Sequence, residues 1–152
     1  MAELKHYRQQ IREAYEDTIN NIAKNKQNLI QTVEVHDPYK QDFGDLERGA
    51  VILLMTSTDE LNTDGAQYEN ERLVTLDCTI FMKLDIDEAD YLTGLITNAV
   101  HTDPSMGIGL LDSRLVNTRI LDNYYDSELH VIQMEFEVCL VVAETDVFTI
   151  DC

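Results

Sequence analysis

Every even position from 74 to 84 is apolar: Val74, Leu76, Cys78, Ile80, Met82 and Leu84. The same parity returns at Ile132, Met134, Phe136, Val138, Leu140 and Val142. The odd positions include Thr75, Asp77, Thr79, Gln133, Glu135 and Glu137. Successive side chains of a strand point to opposite faces, so a period of two held this long requires a sheet with one core face and one polar face. A helix of the same sequence would wind its apolar residues around all sides.

A one-faced sheet must be covered, and two segments have the pattern to cover it. In residues 3 to 26, Leu4, Tyr7, Ile11, Ala14, Tyr15, Thr18, Ile19 and Ile22 recur at spacings of three and four, which predicts an amphipathic helix. Lys24 and Lys26 sit where cations favour its C-terminal end. Residues 87 to 101 predict a second helix, with Ala89, Leu92, Leu95, Ile96, Ala99 and Val100 as its buried stripe. Asp85 or Asp87 caps it, and the acids of its first turn suit the helix dipole.

Further strands fill the order. "LIQTVEVHD", residues 29 to 37, reads as a first strand, followed by a polar loop with Pro38, Gly44 and Gly49. "AVILLMTST", residues 50 to 58, is nearly continuous apolar and predicts a strand buried on both faces. Residues 59 to 70, "DELNTDGAQYEN", read as a long acidic loop, and residues 114 to 121 as another strand. The expected order is α-β-β-β-α-β-β: a single α+β domain over 1–152, an antiparallel or mixed sheet with two helices packed on one face. Residues 145–152 are expected as a short extra strand or an arm that docks on a neighbour.

Two stretches invite a chemical reading. "DPSMGIGLLDS" contains Gly107 and Gly109, but a phosphate loop needs glycines after a strand and before a helix. Here the helix comes first, the third glycine is missing, and no Lys-Ser/Thr follows. The structural reading is a helix exit: Pro104 ends the helix, the glycines allow the turn, and Leu110 and Leu111 plug the core. "ELNTDGAQYENE" nearly fits a calcium loop, with Glu60, Asn62, Asp64, Gly65 and Glu71 at its key positions. Its first position is Glu instead of Asp, and its flanks are strands instead of helices. An acidic, mobile hairpin loop is the expectation.

Nothing else suggests chemistry. His6, His36, His101 and His130 show no ligand spacing, and no nucleophile motif is present. Asp85, Asp87, Glu88 and Asp90 are explained as a helix N-terminus. No cofactor and no metal are expected, and the chain reads as a non-enzyme. The net charge of −18, from 29 acids against 11 bases, repels phosphate backbones and argues against a DNA reader. Cys78, Cys139 and Cys152 form no framework of disulfides, pointing to a reducing compartment. The polar N-terminus shows no signal peptide and no stretch has the ~18 apolar residues of a membrane span, so a soluble protein made in a cytoplasm is expected.

The succession of elements resembles the tail terminator (minor tail, tail completion) proteins of long-tailed bacteriophages. The resemblance covers nearly the whole chain. It runs through "YRQQIREAYEDTI", then "GAVILLMTST" and "ERLVTLDCTIFMKL" around a variable loop. It continues in "DEADYLTGLITNAVHTD", "PSMGIGLLDSRLVNTRI" and the long final strand "HVIQMEFEVCLVV". The resemblance implies a structural virion protein that forms a homo-hexameric ring on the head-proximal end of the tail. That ring binds the tail tube protein, stops tube polymerisation and offers a surface to a head or neck connector protein. It implies assembly in the host bacterial cytoplasm, no membrane, and genomic DNA passing through without specific binding. On that reading the expected interface loop is Asp59, Glu60, Asn62, Asp64, Tyr68, Glu69 and Glu71; Asp77, Glu135 and Glu137 lie on a face that solvation alone explains, and in a ring they are the candidates to face the lumen. The alternatives are another head–tail joining ring, of the neck or head-completion kind, and a small calcium-binding module.

Overall fold

The computed structural model describes residues 4–25, 32–34, 49–63, 68–83, 85–121, 130–143 and 146–151. Two helices, α1 (Tyr7–Asn25) and α2 (Ile86–Thr102), accompany strands β1 (Thr32–Glu34), β2 (Gly49–Leu61), β3 (Glu71–Lys83), β4 (Asp112–Leu121), β5 (His130–Ala143) and β6 (Asp146–Asp151). The sheet order is β1-β2-β3-β5-β4, and β6 also pairs with β5. Strands β2, β3, β5 and β4 are joined antiparallel, while β1 lies parallel to β2 from Thr32↔Val51 to Glu34↔Leu53. The sheet is therefore mixed only at one margin. Of the expected C-terminal segment, Asp146–Asp151 form a strand, β6, which pairs with the end of β5 from Val141↔Asp151, and residues 145 and 152 lie outside the described residues.

Even parity fixes the core. Val74, Leu76, Cys78, Ile80 and Met82 of β3 lie beside Ile132, Met134, Phe136, Val138, Leu140 and Val142 of β5, all buried. Leu84 lies outside the described residues. Both helices pack on this face, α1 through Tyr7, Ile11, Tyr15 and Ile19 and α2 through Ala89, Leu92, Ile96 and Val100. Each such side chain contributes roughly 1.5–3 kcal/mol by leaving water. At the centre the Tyr15 and Phe136 rings meet edge to face, with centroids 5.4 Å apart. The Tyr15 hydroxyl and the buried Ser113 hydroxyl, 3.1 Å apart, satisfy each other, so neither polar group is stranded.

Helix ends follow local chemistry. Asp85, not Asp87, is the N-cap of α2: its carboxylate accepts the Glu88 N–H at 2.8 Å. α1 starts at Tyr7, where the Arg8 N–H donates to His6 Nδ1 at 3.1 Å. Leu4, expected in the buried stripe, precedes the helix and is exposed. The turn after α2 carries three positive φ angles, 52° at Met106, 71° at Gly107 and 86° at Gly109. Leu110 is buried beneath it, whereas Leu111, expected as a second plug, is exposed.

The expectation for β2 is corrected in part. Its burial on both faces stops at Leu54. Ala50, Ile52 and Leu54 face the main core, while Val51 and Leu53 join Phe81 and Val131 on the opposite face. Beyond Leu54 the sequence turns to Met55-Thr56-Ser57-Thr58, and a register shift between Thr56 and Thr58 marks a bulge.

Candidate assembly interface

The first residues of the expected acidic loop belong to β2 instead, while residues 64–67 lie outside the described residues. β2 runs through Asp59 and Glu60 to Leu61, so these belong to a strand. Asp59 is also turned inward as the hub of a polar knot. Its carboxylate accepts from Arg72 Nε at 3.0 Å, lies 3.3 Å from Arg8 Nε, and receives the Tyr7 hydroxyl. Two guanidinium groups and a phenol hold the carboxylate where water reaches little of it, which ties α1 to the hairpin. The Tyr7 hydroxyl loses acidity, first through burial and then through Asp59.

Glu71 is corrected in the same way. It is buried at the start of β3, and the Asn62 amide donates to its carboxylate at 2.5 Å. Two candidate calcium ligands thus bind each other. Of the remaining expected interface residues, Glu60, Tyr68 and Glu69 are exposed and Asn62 is half-buried, while Asp64 lies outside the described residues. Among the described residues no group of three or more His, Cys, Asp or Glu side chains is placed to hold a metal ion.

The polar face of the sheet gathers the three carboxylates expected on it. Asp77 and Glu135 are directly opposite across β3 and β5, and Glu137 lies two residues along. β4 brings two cations to them, Arg114 at 2.9 Å from Glu137 and Arg119 at 3.7 Å from Glu135. These are surface pairs of small energetic weight, but they offset two of the three charges. Asp77 is buried, and its pKa rises, through desolvation first and then the charge of Glu135.

β4 is an edge strand. β5 is its partner on one side, and no strand pairs with its other side among the described residues. It also exposes apolar side chains: Val116, Leu121 and above all Ile120, 73% exposed. Ile86 and Tyr91 of α2 and Val147 and Phe148 of β6 are exposed as well. At the bulge of β4, His101 Nε2 accepts the Leu115 N–H at 3.0 Å, blocking one backbone donor of the edge. Long edges with apolar side chains are templates for pairing with another chain.

The glycine turn and the two described cysteines have structural surroundings. In the glycine turn, Met106 N–H donates to Asp103 O and Ile108 N–H to Ser105 O, at 3.1 and 3.2 Å. A phosphate would need such amides free. The Cys78 thiol is fully buried and pushed up to about 12, and burial takes Cys139 to about 11, so neither is a ready thiolate at neutral pH. A groove of 330 Å³ runs between α1 and the turn after α2, lined in part by Gln10, Glu13, Asp17, Asn21 and Asp103. Among the described residues no helix is long and apolar enough to cross a membrane.

Sequence reasoning missed the Asp59 knot and the groove. Both join residues far apart in the chain, 52 positions in the case of Tyr7 and Asp59. The one local signal was Arg8 and Arg12, four apart on a helix in a chain poor in cations. No protein-family model matches the chain, and no curated protein matches it.

Proposed function

We propose that this chain is a structural subunit of a bacteriophage tail, a terminator that closes the head-proximal end of the tube as a hexameric ring. The structural observation that carries the assembly part of this reading is β4, an edge strand of ten residues with Val116, Ile120 and Leu121 exposed along it. Arg114, Arg119 and the bulge blunt part of this edge, and its exposed apolar side chains are what a neighbour in a ring would cover. The tail assignment rests on the resemblance in the succession of elements.

The mechanism is steric and interfacial. A head-to-tail contact repeated six times closes on itself and leaves two unlike ring faces. One face pairs with the last ring of the tail tube protein. The other refuses a further tube ring and takes the head or neck connector. The exposed hairpin residues Glu60, Tyr68 and Glu69 contribute to the tube contact, and the face bearing Asp77, Glu135 and Glu137 borders the channel for DNA.

The test mixes the chain with purified tail tubes and examines them by cross-linking and electron microscopy. Hexameric caps at one tube end, with elongation halted, are expected. Binding as single subunits, or no binding, overturns the proposal. Caps on isolated head connectors but not on tubes would assign the chain to the neck instead.

A further inference from the structure

The eleven Lys and Arg residues of this chain are outnumbered by 29 acids, so a cation without a carboxylate beside it is unexpected. Arg12 comes near to that: Glu13 follows it in the chain but is ion-paired with Lys5. Its guanidinium is half-buried and donates to the Thr56 hydroxyl at 2.9 Å, and no ion pair reaches it among the described residues. Burial first, and then the charge of Arg8 one helical turn before it, lowers its pKa, and Glu13 opposes them only in part. A guanidinium has five donors in a planar fork that suits a carboxylate, and here most of that capacity is unused. Arg8 spends one edge on Asp59 and keeps nearly half of its side chain exposed.

The opposite flank of α1 carries the complement. Asp17 lies nine positions after Arg8, about two and a half helical turns, so they leave the helix on opposite sides. Asp17 lines the groove, is exposed, and has no ion pair among the described residues. Asp103 faces it from the turn after α2, and among the described residues its carboxylate accepts a hydrogen bond from the Ser105 hydroxyl alone, at 3.2 Å. Glu13 is matched by Lys5 at 2.9 Å. Gln10 and Asn21 add amide acceptors, and among the described residues no cation lines the groove. A water occupies only about 10–15 Å³ of such space, so 330 Å³ admits a side-chain head group with room to spare.

We infer that α1 carries both halves of a head-to-tail contact between copies of this chain: Arg8 and Arg12 of one copy seat against Asp17 and Asp103 in the groove of the next. The occupant is a second copy because the two surfaces are complementary in charge, differ from each other, and lie on opposite flanks of one helix. Such a pair propagates in one direction, as a ring requires and a two-fold dimer does not. The contact rests on the ring reading only for its closure after six subunits.

The experiment is charge reversal with complementation, read by sedimentation at rising concentration and low ionic strength. The wild-type chain associates, and added salt weakens it because the contacts are partly exposed. Arg12→Glu and Asp17→Arg each weaken association by about tenfold or more. An equimolar mixture of the two variants restores it, since each then offers the charge that the other lacks. In a six-membered ring the mixture closes as an alternating hexamer. Thermal melting checks the fold of each variant. If Arg12→Glu melts early through loss of the Thr56 contact, Arg12→Gln replaces it and is expected to weaken association without being restored by Asp17→Arg. A wild-type chain that stays monomeric at every concentration overturns the inference. So do variants that associate like wild type, or a reversed pair that fails to recombine. Tube capping is scored separately. A chain that associates through these residues but leaves tubes uncapped refutes the tail reading and spares the contact.

Discussion

His6 shows how a single side chain sets a condition on the fold. Its Nδ1 accepts the Arg8 N–H at the start of α1, which requires the ring nitrogen to be unprotonated. Burial lowers its pKa below 6.5, and the charge of Arg8 lowers it further. The folded state therefore binds this proton more weakly than the unfolded state does. The stabilisation is complete above 6.5 and is lost as the pH falls through the lowered folded value. His6→Asn retains an acceptor but cannot titrate, so its melting temperature should fall less than wild type between pH 7 and pH 5, each compared with itself. Equal falls would assign the acid sensitivity elsewhere. Asp77 has the opposite sign. Its raised pKa means that the folded state holds the proton more tightly, so its charged form works against folding at neutral pH and this penalty fades toward pH 3.8. Asp77→Asn should raise stability at pH 7 by up to ~1 kcal/mol, the scale of ordinary single substitutions. A lower melting temperature would show instead that the carboxylate is needed where it lies.

At the scale of elements, legibility followed the range of the interactions. The alternation in β3 and β5 and the stripe of α2 were readable because each is a repeat along the chain, and the structure places those elements within one or two residues of the expected bounds. The glycine turn was readable because Pro104, Gly107 and Gly109 have local backbone preferences. The end of β2 was not. Residues 59 to 61 have the composition of a loop, and only Arg8, Tyr7 and Arg72, brought in by the tertiary fold, explain why Asp59 belongs to a strand. The same limit hid the inward turn of Glu71. β4 was found as a strand, but its place at the margin follows from β5 inserting between it and β3, which no local pattern encodes. That placement is testable. Ile120 is so exposed that Ile120→Lys should change folding stability by less than about 0.5 kcal/mol, yet a lysine on the edge opposes pairing with a neighbour. Denaturant unfolding should be unchanged while ring formation on tubes is lost. Normal caps with the variant would exclude β4 from the subunit contact.

For the molecule as a whole, the net charge of −18 gives any channel lined by its copies a field that repels DNA and lets it slide. The polar sheet face contributes less to that field than its carboxylates alone imply, because Arg114 and Arg119 offset Glu137 and Glu135. Asp77 is too buried to test by reversal, so the informative change is Glu135→Lys with Glu137→Lys, which leaves four cations on that face. Tails should still assemble, and DNA ejection should slow, most at low salt, as added cations release counterions from the phosphates. Ejection at the normal rate in low salt would place this face away from the channel. The sheet order has one more consequence, for synthesis. β5 is the strand that joins the two halves of the sheet, with β3 on one side and β4 on the other, yet it comes after both in the chain. While a ribosome is still making residues 122 to 129, β3 and β4 have no shared partner, and the core lacks the buried row that β5 contributes. Non-local pairing of this kind forms late and cooperatively. A nascent chain therefore has no half-built subunit to offer, and an assembly of the proposed kind would be protected from poisoning by unfinished copies of its own protein.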